Sequence, residues 1–109
     1  MSPYAHITGW GMAVPNRIMT NEELAQRIDT SDEWIRERTG IRERHIAGAE
    51  ESTATLAAEA DLKALGVASL NPSDLDLIIV STSSPEHIFP ATACLVQDRI
   101  GASKAGAFD

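Results

Sequence analysis

The chain has 109 residues, 43% hydrophobic and 5% aromatic, which is one domain or a piece of one with enough apolar material for a packed core. A net charge of -7 argues against nucleic acid or an anionic membrane as a general partner, because the mean field repels phosphate. One cysteine excludes an internal disulfide and favours a reducing compartment.

Tyr4 to Thr8 reads as a first strand, broken by Gly9, Gly11 and Pro15. Met1-Ser2-Pro3-Tyr4 ahead of it lacks the basic end and apolar run of a signal peptide, so a cytoplasmic protein is expected. Thr20 and Glu23 form a capping-box pattern for a helix with an apolar stripe of Leu24, Ala25 and Ile28, ending at Asp29. Thr30 and Glu33 repeat the pattern and open a short charged helix from Asp32 to about Arg38, closed by Thr39-Gly40. Ile41 to Ala47 alternates loosely and is read as extended.

Ser52 or Thr53 caps a long alanine-rich helix expected to run to Leu65 and stop at Gly66. Ala57, Ala60 and Ala64 give it a narrow face that lets another helix approach closely. Asn71 to Asp74 is a turn. Leu75 to Thr82 is a strand whose Leu77-Ile78-Ile79-Val80 centre is apolar on both faces, as in buried parallel sheets. That centre is the longest apolar run, far short of the roughly eighteen residues of a membrane span. Ser83 to Pro85 is loop, Ala91 to Ile100 a helix ended by Gly101, and Ala105 to Phe108 another strand. This alternation predicts an α/β layered fold with a mainly parallel sheet. A strand that starts where the sequence stops is an odd finish for a complete domain, so a longer parent protein is expected.

The most unusual segment is Thr30 to His45, which holds four of the nine basic residues: Arg36, Arg38, Arg42 and Arg44. Trp34 and Arg38 are four apart and share a helix face. An indole beside a guanidinium suits a ligand with a flat π-system and phosphates. The plainer alternative is that Glu33, Glu37 and Glu43 neutralise the arginines on a solvated face, with Trp34 in the core.

This segment resembles the signature of ketoacyl-acyl carrier protein synthase III. The resemblance extends through Ile7 to Gly11 with Pro15, Asp76 to Thr82, Phe89 to Gln97, and Ala107-Phe108-Asp109. It implies the N-terminal half of a thiolase-like α-β-α-β-α layered fold, with residues 1–109 forming the N-terminal part of the first half-domain. It implies a homodimeric acyltransferase that condenses an acyl-CoA primer, acetyl-CoA being the first expectation, with malonyl-acyl carrier protein by decarboxylative Claisen chemistry. Acyl-CoA is then a substrate, and neither a cofactor nor a metal is expected.

By the same resemblance Trp34 stacks on the CoA adenine and Arg38 reaches the nucleotide end. Thr30 is a further CoA contact, although capping alone explains it. Phe89 crosses the dimer interface to line the partner's acyl pocket, and His87 borders that pocket. No catalytic residue falls within the chain: the family's nucleophile, a thiolate at a helix N-terminus, follows the Phe108-Asp109 pair. Its histidine and asparagine belong to the second half. Cys94, inside the predicted helix Ala91 to Ile100, reads as a small apolar side chain and not as the nucleophile. His45 reads as structural. No His, Cys or Asp pair has ligand spacing on a shared face, so no metal site is expected. Two other readings stay open: an acyltransferase of secondary metabolism on the same fold, and a non-catalytic module for CoA binding or dimerisation.

Overall fold

A computed structural model describes residues 3–109 of the chain, arranged as two compact units. One comprises Val14–Glu51, the other residues 3–13 with Ser52–Asp109.

In the Val14–Glu51 unit, β1 (Arg17–Thr20) pairs antiparallel with β2 (Glu43–Ile46), in register Arg17 with Ile46 and Thr20 with Glu43. Sequence patterning predicts an extended segment at β2 but no strand over residues 17–20. Pairing with β2 makes residues 17–20 a strand, since their own pattern is weak. Helix α1 (Asn21–Ala25) is shorter than expected, and Ile28 of its expected stripe is exposed. The Thr20 hydroxyl accepts the Glu23 N–H at 3.2 Å, but the box stays half closed. The Glu23 carboxylate instead binds Arg17 at 2.8 Å and Arg27 at 3.4 Å.

Helix α2 (Asp32–Thr39) ends on Gly40 at φ 72, the left-handed conformation glycine tolerates best. Its N-cap is Ser31, whose hydroxyl accepts the Trp34 N–H at 3.1 Å. Thr30 is therefore not the cap, contrary to expectation. The helix itself starts at Asp32, as expected, and the Asp32 carboxylate in its first turn meets Arg36 at 3.0 Å.

In the other unit, α3 (Thr53–Ala68) begins with a closed capping box between Ser52 and Thr55. It runs through Gly66 and ends at Ser69 in the left-handed conformation. A lone glycine costs about 1 kcal/mol in a helix, too little to end one held by packing. A 3-10 turn (Pro72–Asp74) leads to β3 (Leu77–Ile79). Helix α4 (Thr92–Ile100) then crosses to β4 (Gly106–Phe108), parallel to β3 with Leu77 opposite Gly106. This is the expected strand–helix–strand element of an α/β fold.

The core of this unit joins Ala54, Ala58 and Leu65 of α3 to Ile78, Ala93, Val96, Ile100, Ala102 and Ala105. Small side chains let α3 and α4 pack closely. Of the expected alanine face, Ala57 packs against the core that includes α4, whereas Ala60 and Ala64 meet N-terminal backbone and not a helix. A Cβ on Gly9 would lie 2.2 Å from the Ala64 carbonyl oxygen, and one on Gly11 2.2 Å from that of Ala60. Backbone thus lies directly on helix backbone, and the Lys63 ammonium donates to the Met12 carbonyl at 2.9 Å. Residues 4–8 form no strand, because no described strand pairs with them. Only Ile78 of the β3 apolar run is buried; Leu77 and Ile79 stay about half exposed, so burial on both faces is not reached. Among the described residues no helix is long and apolar enough to cross a membrane.

Candidate functional site

The arginine-rich segment divides into distinct jobs. Arg36 pairs with Asp32, and Arg44 donates to the Asn21 side chain at 2.7 Å and the Met19 carbonyl at 3.3 Å. Arg38 instead lies over the Trp34 ring, its guanidinium carbon 4.8 Å from the centroid. At an exposed site such a cation–π contact is worth about 0.5–1 kcal/mol, enough to orient both groups but not to lock them. Glu33, Glu37 and Glu43 form none of the described salt bridges, so the plainer reading in which they neutralise the arginines finds no direct ion pair. Trp34 is 54% exposed, so it is not a core residue either.

Beside the indole is an open hollow of about 480 Å³ lined by Ile28, Asp29, Thr30, Ser31 and Trp34. The Thr30 hydroxyl oxygen is buried and has no hydrogen-bond partner among the described residues. A buried hydroxyl normally finds a partner, so its lack of one at a residue lining the hollow is unusual. Thr30, Trp34 and Arg38 are thus brought together within one unit. The segment's histidine is structural, as expected: His45 Nδ1 bonds the Pro15 carbonyl and ties β2 to the approach to β1.

Phe89 and His87 lie on the loop between β3 and α4 in the other unit. The loop base is fixed. Thr53 donates to the Ser84 carbonyl at 2.9 Å, and Ser52 to the Glu86 carboxylate at 2.8 Å. The tip is bare, with His87 exposed, Ile88 89% exposed and Phe89 87% exposed. Sequence reasoning passed over Ile88, whose apolar side chain beside Phe89 was the available signal.

Cys94 sits within α4 as expected, half-buried, its sulfur 3.9 Å from the Ala107 carbonyl oxygen. A more consequential residue is Asp109. Its carboxylate accepts the backbone N–H groups of Thr92 and Ala93, each at 2.7 Å, and so caps α4 from the end of β4. Those bonds, Ala93 first, hold its carboxyl below the ordinary value of 3.8. Gln97 braces the opposite end of α4, its amide donating to the carbonyls of Ala102 at 3.0 Å and Ala105 at 2.6 Å in the turn that leads to β4. The Phe108-Asp109 pair was noted in the sequence only as part of a motif; capping across 17 residues leaves no local pattern.

No family model matches the chain. It is 53% identical, over all 109 residues, to the Beta-ketoacyl-[acyl-carrier-protein] synthase III of Methylococcus capsulatus, of which it covers 34%. It superposes on a crystal structure of 3-oxoacyl-[acyl-carrier-protein] synthase III from Aquifex aeolicus with a TM-score of 0.89 and 48% identity. That match covers 94% of this chain and 33% of that one. The priming beta-ketosynthase of the R1128 polyketide pathway gives a TM-score of 0.88 at 36% identity, over 94% of this chain and 31% of that one. The chain spans about a third of the length of the curated relatives it matches. In sequence and in fold, the chain matches about a third of beta-ketoacyl-[acyl-carrier-protein] synthase III proteins, and its fold is part of their thiolase-like α/β fold.

Proposed function

We propose that the protein containing this chain is a cytoplasmic beta-ketoacyl-acyl carrier protein synthase III, joining an acyl-CoA primer to malonyl-acyl carrier protein as a homodimer. In this reading the 109 residues supply the CoA entrance and part of the dimer surface. The observation that carries it is the exposed Trp34 with Arg38 over its ring, beside a hollow that Trp34 and Thr30 help to line. An adenine offers a flat π-system to the indole and hydrogen-bonding edges to the threonine, while the guanidinium suits the nucleotide phosphates. The bare Ile88-Phe89 tip fits a loop that inserts into a second subunit, since exposed apolar pairs gain by burial. Acetyl-CoA is the proposed primer. The condensation itself falls to a cysteine, a histidine and an asparagine for which these 109 residues offer no candidate.

The R1128 relative favours a second reading: a priming synthase of secondary metabolism with the same CoA entrance. Primer preference assayed with acetyl-CoA and longer acyl-CoAs separates the two. The entrance itself is tested by Trp34→Ala in the full-length protein. We expect the KM for acyl-CoA to rise about tenfold with kcat nearly unchanged, as loss of one stacking contact predicts. A fall in kcat at constant KM would refute the assignment.

A further inference from the structure

Asn21, at the start of α1, is completely buried and uses every polar group of its amide. Its Nδ2 donates to the Asp32 carboxylate at 2.9 Å and to the Ile41 carbonyl at 2.8 Å, and its Oδ1 accepts from Arg44 at 2.7 Å. Its backbone N–H donates to the Arg42 carbonyl at 3.2 Å.

The partners are placed with a consequence. Asp32 is the first residue of α2, and Ile41 follows the Gly40 that ends it. One amide therefore holds both ends of the helix that carries Trp34 and Arg38, while Arg44 fastens that amide to β2. Helix α2 has eight residues and a single buried side chain, Ile35, so neither intrinsic helicity nor apolar packing fixes its orientation well.

We propose that Asn21 is a positioning residue for the Trp34–Arg38 face, setting the angle at which indole and guanidinium meet a ligand bearing a nucleotide. The proposal rests on the reading of that face as the CoA entrance. No other small side chain supplies two donors and an acceptor here. Aspartate has the same shape but cannot donate, and it adds a negative charge beside Asp32.

The experiment uses the full-length protein labelled with 5-fluorotryptophan, with the Trp34 resonance assigned by its loss in Trp34→Phe. Asn21→Asp is expected to shift that resonance and to raise the acyl-CoA KM about fivefold while kcat stays within about twofold. Adding Asp32→Asn should recover part of the KM, because the repulsion disappears and the new amide donates to the carboxylate introduced at position 21. A lowered Tm with both KM and the resonance unmoved assigns Asn21 to stability alone and overturns the proposal. Trp34→Ala distinguishes the two failures. If it leaves KM unchanged, the CoA reading falls, and the Trp34 resonance in Asn21→Asp decides the positioning role by itself: shifted supports it, unmoved overturns it.

Discussion

The two units of this chain are held together by different physics. In the unit containing α3 and α4, nine buried apolar residues form one cluster, five of them alanines, and backbone lies directly on backbone at Gly9 and Gly11. In Val14–Glu51, Pro15, Met19 and Ile35 are the only buried apolar side chains, and the fully buried residue is an asparagine. Interdigitated apolar packing is insensitive to charge but intolerant of added volume. A polar hub tolerates little change in donor and acceptor pattern, because each lost partner strands a buried group. Steric changes should therefore damage the first unit, and changes of hydrogen-bonding type the second. The second unit is also the one that carries the proposed ligand face.

The largest effect expected from this contrast is steric. Gly11→Ala places a methyl group 2.2 Å from the Ala60 carbonyl oxygen; backbone geometry fixes the methyl carbon, and the oxygen is main chain, so neither can rotate away. A loss of about 3 kcal/mol is expected from denaturant unfolding, the upper end of overpacking costs. An unchanged midpoint would mean that the N-terminal segment does not lie on α3. The Asn21→Asp experiment is the polar counterpart, with its effect on ligand KM more than on folding.

Two carboxylates of the apolar unit sharpen the contrast with effects of opposite sign. Asp109 has its carboxyl held below 3.8 by the α4 N–H groups. A lowered value stabilises the fold above 3.8 and loses that contribution as pH falls through the folded value. Asp109→Ala should therefore melt lower at neutral pH, with the gap closing in acid; a gap constant with pH would remove the capping role. Asp61, half-buried beside a groove of about 530 Å³ lined by Ala57, Ala64, Leu65, Leu75 and Val80, is shifted up by burial. Here stability is fully present below 3.8 and is lost as pH rises through the raised value. Asp61→Asn should melt slightly higher at neutral pH and match the parent in acid, the smallest effect of the series. Lower melting at neutral pH would show a partner for the carboxylate that burial alone does not.

Helix α4 with its Gly101 stop, the Gly40 end of α2, the turn at 71–74 and the parallel pair β3–β4 were all legible, because each is written in residues close together in the chain. So was the pairing of Trp34 with Arg38, which needs only helical spacing. Burial was not legible. Leu77, Ile79 and Trp34 have the composition of core residues and stand half exposed, while Asn21 has the composition of a turn and is buried.

The sequence by itself determined the resemblance to ketoacyl-acyl carrier protein synthase III, the α/β alternation and which helix carries the indole and guanidinium, since these follow from local pattern and motif. The tertiary structure decided the rest: that Ser31 and not Thr30 caps α2, that Asp109 caps α4 from the end of a strand, and that Asn21 spans α2 from end to end. Ala60 and Ala64 of α3 were likewise assigned to the backbone of Gly9 and Gly11 only by the fold. Each of these depends on which of several chemically suitable partners comes within bonding distance. Hydrogen bonds and close contacts are decided within a few tenths of an ångström, and chain separations of 11 to 23 residues, as at Asn21, become such distances only after folding.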